Sequence, residues 1–373
     1  MKLKIEQLNL SHLISLVAKA VSPRSPKPAL SCVKFSAGEE GLILDATDQE
    51  LWIRSSSKDV EIEYPGEVLV DARLIEEIVK NLPKSDVQIE TEENKRVKIT
   101  CEKSKFELFT QEVEEFPEFK PPNPQFEFDL SPILLRDMLE KVMFSASTDE
   151  IMKNLNGVYI EIEGKTIRLI SADGFRMALT EKEIATPGIS EQTPYMGFLL
   201  SLRSVREISR IIEAGEEEDK MHVIYDGKKI GLELNRTFVM TQRIEAEFPD
   251  YKKVLPEGFK TKITLPTNTL YQSIKRIGVV AKPGSETIRF DIADNIFQIS
   301  STSSDYGNSK EEMSIEKEGD DIAIAFNPRF LLEALSRVDD ENVTLSFIGP
   351  LSPTQINPAT LSDYEFIVMP IRM

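Results

Sequence analysis

Ser131-Pro132-Ile133-Leu134-Leu135-Arg136-Asp137-Met138-Leu139-Glu140-Lys141-Val142 reads as a capped, one-sided helix. Ser131 suits the N-cap, where its hydroxyl accepts from a free N–H of the first turn, and Pro132 takes the first helical position, where a missing N–H costs nothing. Leu134, Leu135, Met138, Leu139 and Val142 then share a face. The same order, an apolar strand running into a cap and an amphipathic helix, recurs at five other places. Their expected caps are Ser11, Asp71, Ser201, Thr267 and Asn327, with Pro328 again at a first helical position. The stripes are Leu10, Leu13, Ile14, Val17 and Val21; Leu74, Ile75, Ile78, Val79 and Leu82; Val205, Ile208 and Ile212; Leu270, Ile274 and Ile277; Leu331, Ala334, Leu335 and Val338. The six group as three pairs whose caps lie 60, 70 and 60 residues apart, so the chain reads as one module written three times. Glu115-Phe116-Pro117 returns as Glu247-Phe248-Pro249 and closes a module each time.

Segments such as Val97-Lys98-Ile99-Thr100, Val158-Tyr159-Ile160-Glu161-Ile162 and Val343-Thr344-Leu345-Ser346-Phe347 alternate like half-buried strands. Each module is therefore two helices against antiparallel sheet, and the fold class is α+β in three tandem copies. Pro121, Pro122 and Pro124, then Pro256-Glu257-Gly258, punctuate the chain, giving modules at 1–124, 125–257 and 258–373. Met1-Lys2-Leu3-Lys4-Ile5 alternates like a strand rather than a signal peptide, and no stretch approaches the roughly 18 apolar residues of a membrane span. The expectation is a soluble, cytoplasmic protein with no membrane partner. Cys32 and Cys101 are too few for a disulfide framework or zinc cluster and read as buried free thiols. No cofactor or metal is expected.

The net charge of −18 argues at first sight against nucleic acid, because phosphate binding is driven by Lys and Arg displacing counterions. The acidic runs, however, fall at expected turns. Cations occupy helix faces: Arg203, Arg206 and Arg210 form one stripe, with Arg73 and Lys80, Arg136 and Lys141, Lys275 and Arg276, and Arg329 and Arg337 on the others. Taken singly, each set also reads as a solvated face. Together on one wall, they would form a track for a polyanion, indifferent to base sequence. Six helices spaced about 9 Å apart close a circle with only about 7 Å clear, whereas twelve leave about 24 Å, room for a duplex. One chain is then half of a ring, closed by head-to-tail contact in a two-fold dimer.

These residues resemble the bacterial DNA polymerase III β subunit family, the replicative sliding clamps. The resemblance covers the whole chain and rests on Leu155-Asn156-Gly157, Ser171-Ala172-Asp173-Gly174-Phe175-Arg176-Met177-Ala178, Phe248-Pro249-Asp250-Tyr251-Lys252-Lys253-Val254-Leu255-Pro256, Phe326-Asn327 and the terminal Val368-Met369-Pro370-Ile371-Arg372-Met373. It implies the DNA clamp fold, a homodimeric ring around double-stranded DNA, and no enzymatic activity. It also implies a pocket that docks the linear motifs of the DNA polymerase III alpha subunit, the clamp loader, other polymerases and repair proteins. By position, that pocket draws Leu155, Ala172, Gly174, Phe175, Arg176, Met177, Pro249, Lys253 and Val254 from the second module. The third adds Asn327, Phe330, Leu351, Pro353, Ile367, Val368, Met369, Pro370, Ile371 and Arg372. Taken from the residues alone, Leu155, Val254 and Val368 read first as ordinary core, and Asp173-Gly174 equally suits a plain turn.

Phe175, Lys253 and Phe330 stand where the family commonly has His, Arg and Tyr, which predicts a more apolar motif in the partners. The resemblance also assigns DNA contact to Arg24 and to the loop with Thr148 and Lys153, and the dimer interface to Val279 and Val280, which otherwise read as an exposed Arg, a loop and helix-end core.

Two rivals remain at this point. An enzyme would need chemistry that His12 and His222 do not supply, since no nucleophile motif, HExxH or phosphate loop accompanies them; Asp48 and Asp173, at equivalent places in two modules, are the only suggestion of metal ligands. The other rival is a repeat-built protein-interaction scaffold that never meets DNA.

Overall fold

The structure, a computed structural model, describes residues 1–21, 27–92, 95–149, 151–184, 195–212, 220–281, 286–361 and 363–372. Among these, six α-helices occur where the periodicity places them: α1 Gln7–Val17, α2 Ala72–Asn81, α3 Pro132–Val142, α4 Leu202–Ile212, α5 Thr267–Ile277 and α6 Pro328–Leu335. The rest is antiparallel strand and turn, so the α+β reading holds.

Four of the expected caps act as such. The Asp71 carboxylate accepts from Leu74 N at 2.8 Å, Ser131 Oγ from Leu134 N at 3.4 Å, Ser201 Oγ from Ser204 N at 3.2 Å and the Asn327 side chain from Arg329 N at 2.9 Å. Ser11 and Thr267 are corrected. α1 starts at Gln7, a full turn before Ser11, and Gln7 N donates to Ser85 O at 3.0 Å. α5 begins with Thr267 itself, whose N–H donates to Glu341 O at 2.8 Å. In both helices a carbonyl from a distant loop takes the first N–H, and no side chain caps the helix.

The stripes are buried with five exceptions, of which Ile78 on α2 and Leu134 on α3 are half-buried at the edge of their faces. Leu74 is 44% exposed, since Ala72, Ile75 and Val79 form the inward face of α2. Val21 and Val338 lie beyond the ends of their helices and are half-buried.

The described residues form two compact units. One holds those within Met1–Leu135 and Arg206–Arg243, the other those within Arg136–Ala185, Ile189–Val205 and Ile244–Met373. In the first, thirteen strands form one sheet running from Phe126–Leu130 at one edge to Glu61–Tyr64 at the other, and α1 packs on α2. Its continuity depends on the antiparallel pairing of Leu51–Ser57 with Thr237–Gln242. Where these strands meet, Trp52, Phe116 and Met240 share a core cluster, with the Trp52 and Phe116 rings 5.5 Å apart, edge to face.

The second unit has a nine-strand sheet from Met196–Ser201 to Glu316–Gly319, a four-strand sheet from Gly307–Ser314 to Ile322–Phe326, and α5 packed on α6. Here the joining pair is Arg176–Glu183 with Tyr364–Val368. The units thus follow shared sheets rather than the expected module ends. Cys32 and Cys101 are free and buried, and burial, with the Asp71 charge second, pushes the Cys32 thiol up to about 12.

Candidate functional site

The strand Thr166–Ala172 turns back into Arg176–Glu183 through Asp173-Gly174-Phe175. Asp173 Oδ1 accepts from Phe175 N at 3.0 Å and Arg176 N at 3.1 Å, and Gly174 supplies the positive φ of 89° that the turn needs. Asp48 builds the equivalent turn by accepting from Glu50 N and Leu51 N at 3.0 and 2.8 Å. The two aspartates considered as metal ligands are therefore engaged by their own backbones. Among the described residues, no group of three or more His, Cys, Asp or Glu side chains is arranged to hold a metal ion.

Immediately after the turn, Arg176 is buried and fully engaged. Its Nε donates to Asp173 Oδ2 at 3.0 Å, Nη2 to Phe144 O at 2.9 Å and Nη1 to Glu333, while its guanidinium lies 4.4 Å from the centre of the Phe330 ring. A buried guanidinium is tolerated because each face and edge has a partner. Burial pushes the Glu333 carboxyl up, but Arg176 and Arg329 outweigh it and hold the group below the ordinary carboxylate range.

Beside this arginine opens a cavity of about 160 Å³, lined by Leu155, Ala172, Gly174, Arg176, Met177, Phe248, Pro249, Tyr251, Val254, Ile367 and Met369. Nine of the nineteen expected pocket residues meet there. Phe248 and Tyr251 were missed, although both stand in the stretch Phe248-Pro249-Asp250-Tyr251 that carried the resemblance.

The other ten expected residues do not line it. Phe175 stands beside the turn, 63% exposed, its carbonyl accepting from Met369 N. Exposed Lys253 pairs with Asp250 at 3.1 Å, Phe330 lies against Arg176, and Leu351 is exposed. Pro353 and Pro370 are half-buried; Ile371 N donates to Ala325 O, and Arg372 is exposed. Asn327 caps α6 and lines a separate hollow of about 490 Å³ beside Val279 and Arg329. Val368 is corrected: strand alternation turns it away from its neighbour Ile367 and leaves it with no exposed surface.

The expected DNA-facing cations divide. Arg73, Lys80, Lys153, Arg203, Arg206, Arg210, Lys275, Arg276 and Arg329 are exposed, as is Thr148; Arg136 and Arg337 are half-buried near Glu140. Arg276 pairs with Glu311 and Arg329 with Glu333. Lys141 is corrected. Only 7% exposed, its Nζ lies 3.2 Å from Asp137, 3.3 Å from Asp339 and 3.7 Å from Asp363, so it is a partner for carboxylates rather than a surface cation. Arg24 lies outside the described residues. Val279 is 70% exposed and Val280 half-buried at the end of α5.

Family models for the N-terminal, central and C-terminal domains of the DNA polymerase III beta subunit match residues 1–120, 129–250 and 252–372. A beta sliding clamp from Streptomyces coelicolor is 30% identical over 386 aligned residues that cover all of both chains. The chain belongs to the DNA polymerase III beta subunit family, the replicative sliding clamps. A beta subunit from Thermotoga maritima is 36% identical, with a TM-score of 0.92 over 100% of this chain and 99% of that one. The sliding clamp of Bacillus subtilis, at 24% identity and a TM-score of 0.95 over 100% and 99%, shows the same fold. Against that clamp fold, a cavity walled by Met177, Val254, Ile367 and Met369 is suited to apolar anchors of an extended peptide, with few polar groups to orient its backbone.

Proposed function

We propose that this clamp is a homodimeric ring, built of modules at 1–124, 125–257 and 258–373, that encircles double-stranded DNA and docks its partners in the apolar cavity beside Arg176. It is not an enzyme and needs no cofactor. The partners are the DNA polymerase III alpha subunit, the clamp loader, other polymerases and repair proteins in the cytoplasm. Support for the module ends comes from the proline punctuation and from family-model matches that break close to the same places. The exposed Val279 at the end of α5 supports a face for the second copy, and the exposed Arg203, Arg206 and Arg210 support a DNA-facing α4. A ring reconciles the net charge of −18 with DNA: enclosure replaces tight phosphate binding, and the few cations needed sit on the helices.

The observation that carries the docking reading is the cavity itself, with Leu155, Met177, Val254, Ile367 and Met369 as walls. Phe175 and Phe330 do not line it, but they adjoin its Gly174 and Arg176 and offer neither imidazole nor phenol, so its ligand is a motif richer in apolar side chains. Fluorescence anisotropy with one apolar and one polar labelled peptide tests this. The apolar peptide should bind more tightly and lose its binding in Val254→Asp; equal affinity for both peptides would contradict the preference.

A further inference from the structure

We propose that Glu161 is a positioning residue for peptide docking, the buried acceptor that fixes the aromatic side of the cavity; this rests on reading that cavity as the peptide site. Glu161 lies in the strand Gly157–Glu163 and is 2% exposed. A carboxylate there is costly unless its oxygens are taken, and they are. Tyr251 Oη donates to Oε1 at 3.0 Å, Arg168 Nη1 donates to the same oxygen at 2.8 Å, and Tyr195 Oη donates to Oε2 at 3.2 Å.

The two aromatic linings of the cavity trace back to this group. Tyr251 is one lining and touches it directly. The other, Phe248, is stacked on Tyr159 with ring centres 5.0 Å apart and planes 2° apart. Tyr159 Oη lies 2.7 Å from Tyr195 Oη, so the chain of phenols ends on Glu161 Oε2. Gly197 pairs with Glu161 across the sheet, and a Cβ there would come within 2.0 Å of Tyr159 Oη. The lack of a side chain at Gly197 thus leaves room for the Tyr159 hydroxyl beside that of Tyr195. Burial first, and Glu161 among the polar neighbours, raises the pKa of Tyr195 and of Tyr251, which keeps both as donors. Removing the acceptor frees both rings, and a peptide must then order them on binding.

A double-mutant cycle on the full-length chain tests the proposal, with a fluorescein-labelled hexapeptide bearing two leucines and a phenylalanine as probe. Glu161→Leu, which has no acceptor, and Tyr251→Phe should each weaken binding by about tenfold, and the double variant should be no weaker than about the larger single effect, because both remove the bond between Tyr251 and Glu161. Single effects that multiply, or a Glu161→Leu protein with a lower Tm but unchanged Kd, would overturn it. If Glu161→Leu does not fold, Tyr195→Phe, which removes only the hydroxyl between Tyr159 and Glu161, decides: a Kd weakened by about threefold supports the proposal and an unchanged one overturns it. Val254→Asp separates the two readings, since wild-type affinity in that variant places the peptide elsewhere and defeats the docking reading itself.

Discussion

Lys141 near the end of α3 and the arginines of α4 are the same kind of signal in the sequence, cations set apart from an apolar stripe. In the molecule they differ. Lys141 is enclosed by Asp137, Asp339 and Asp363, with Lys182 also bonded to Asp363, whereas Arg203, Arg206 and Arg210 face solvent. Burial alone would lower the pKa of the Lys141 ammonium, but the Asp137, Asp363 and Asp339 carboxylates more than offset it and hold the group above its ordinary 10.5. Charge type and helical spacing thus identify a candidate surface for DNA, and the carboxylates brought up by folding decide which cations remain on it.

The comparison can be broken most forcefully at Lys141. Lys141→Ala leaves its carboxylates facing each other with less compensation and should cost about 2 kcal/mol, less than for a fully enclosed pair because Asp339 stays largely solvated. Thermal or urea denaturation measures it, and a change near zero would return Lys141 to the surface class. Replacing Arg203, Arg206 and Arg210 together by Gln should instead leave stability within about 1 kcal/mol while lowering the slope of log affinity against log salt for a short duplex by roughly 2 to 3. An unchanged slope would remove α4 from the DNA-facing surface.

Acid sharpens the contrast. Burial raises the Asp363 carboxyl, but the Lys182 hydrogen bond and the Lys141 charge bring it below its ordinary 3.8, so its contribution is complete above that pH and disappears as pH falls through the depressed value. The stability gap between wild type and Lys141→Ala should therefore narrow below about pH 4, whereas the effect of the α4 arginines, charged throughout, should not follow that titration. The smallest effect belongs to Arg210→Ala. Its pair with Glu207 at 2.7 Å is solvated on the arginine side, and the loss should not exceed about 0.5 kcal/mol in chemical denaturation.

What could be read beforehand was local. The helix stripes, four caps and the turn at Asp173-Gly174 follow from spacings of one to four residues, and each is present. What could not be read was brought together from afar. The carbonyls of Ser85 and Glu341 replace the caps expected of Ser11 and Thr267, and Asp339 and Asp363 reach Lys141 from the other end of the chain. The pairings of Leu51–Ser57 with Thr237–Gln242 and of Arg176–Glu183 with Tyr364–Val368 are matters of long-range register, which no local period encodes. The cavity shows both sides. Its strand-turn half was legible in Ala172-Asp173-Gly174, while the bond of Tyr251 to Glu161 and the stacking of Phe248 on Tyr159 emerged only from folding.

The central claim is that this acidic clamp holds DNA by enclosing it. Protein assembled on a nicked circular plasmid should co-elute with the plasmid in gel filtration at moderate salt and be lost when one cut linearises the circle. Equal retention on the circle and on the linear form would contradict enclosure and leave binding to the surface of the duplex in its place.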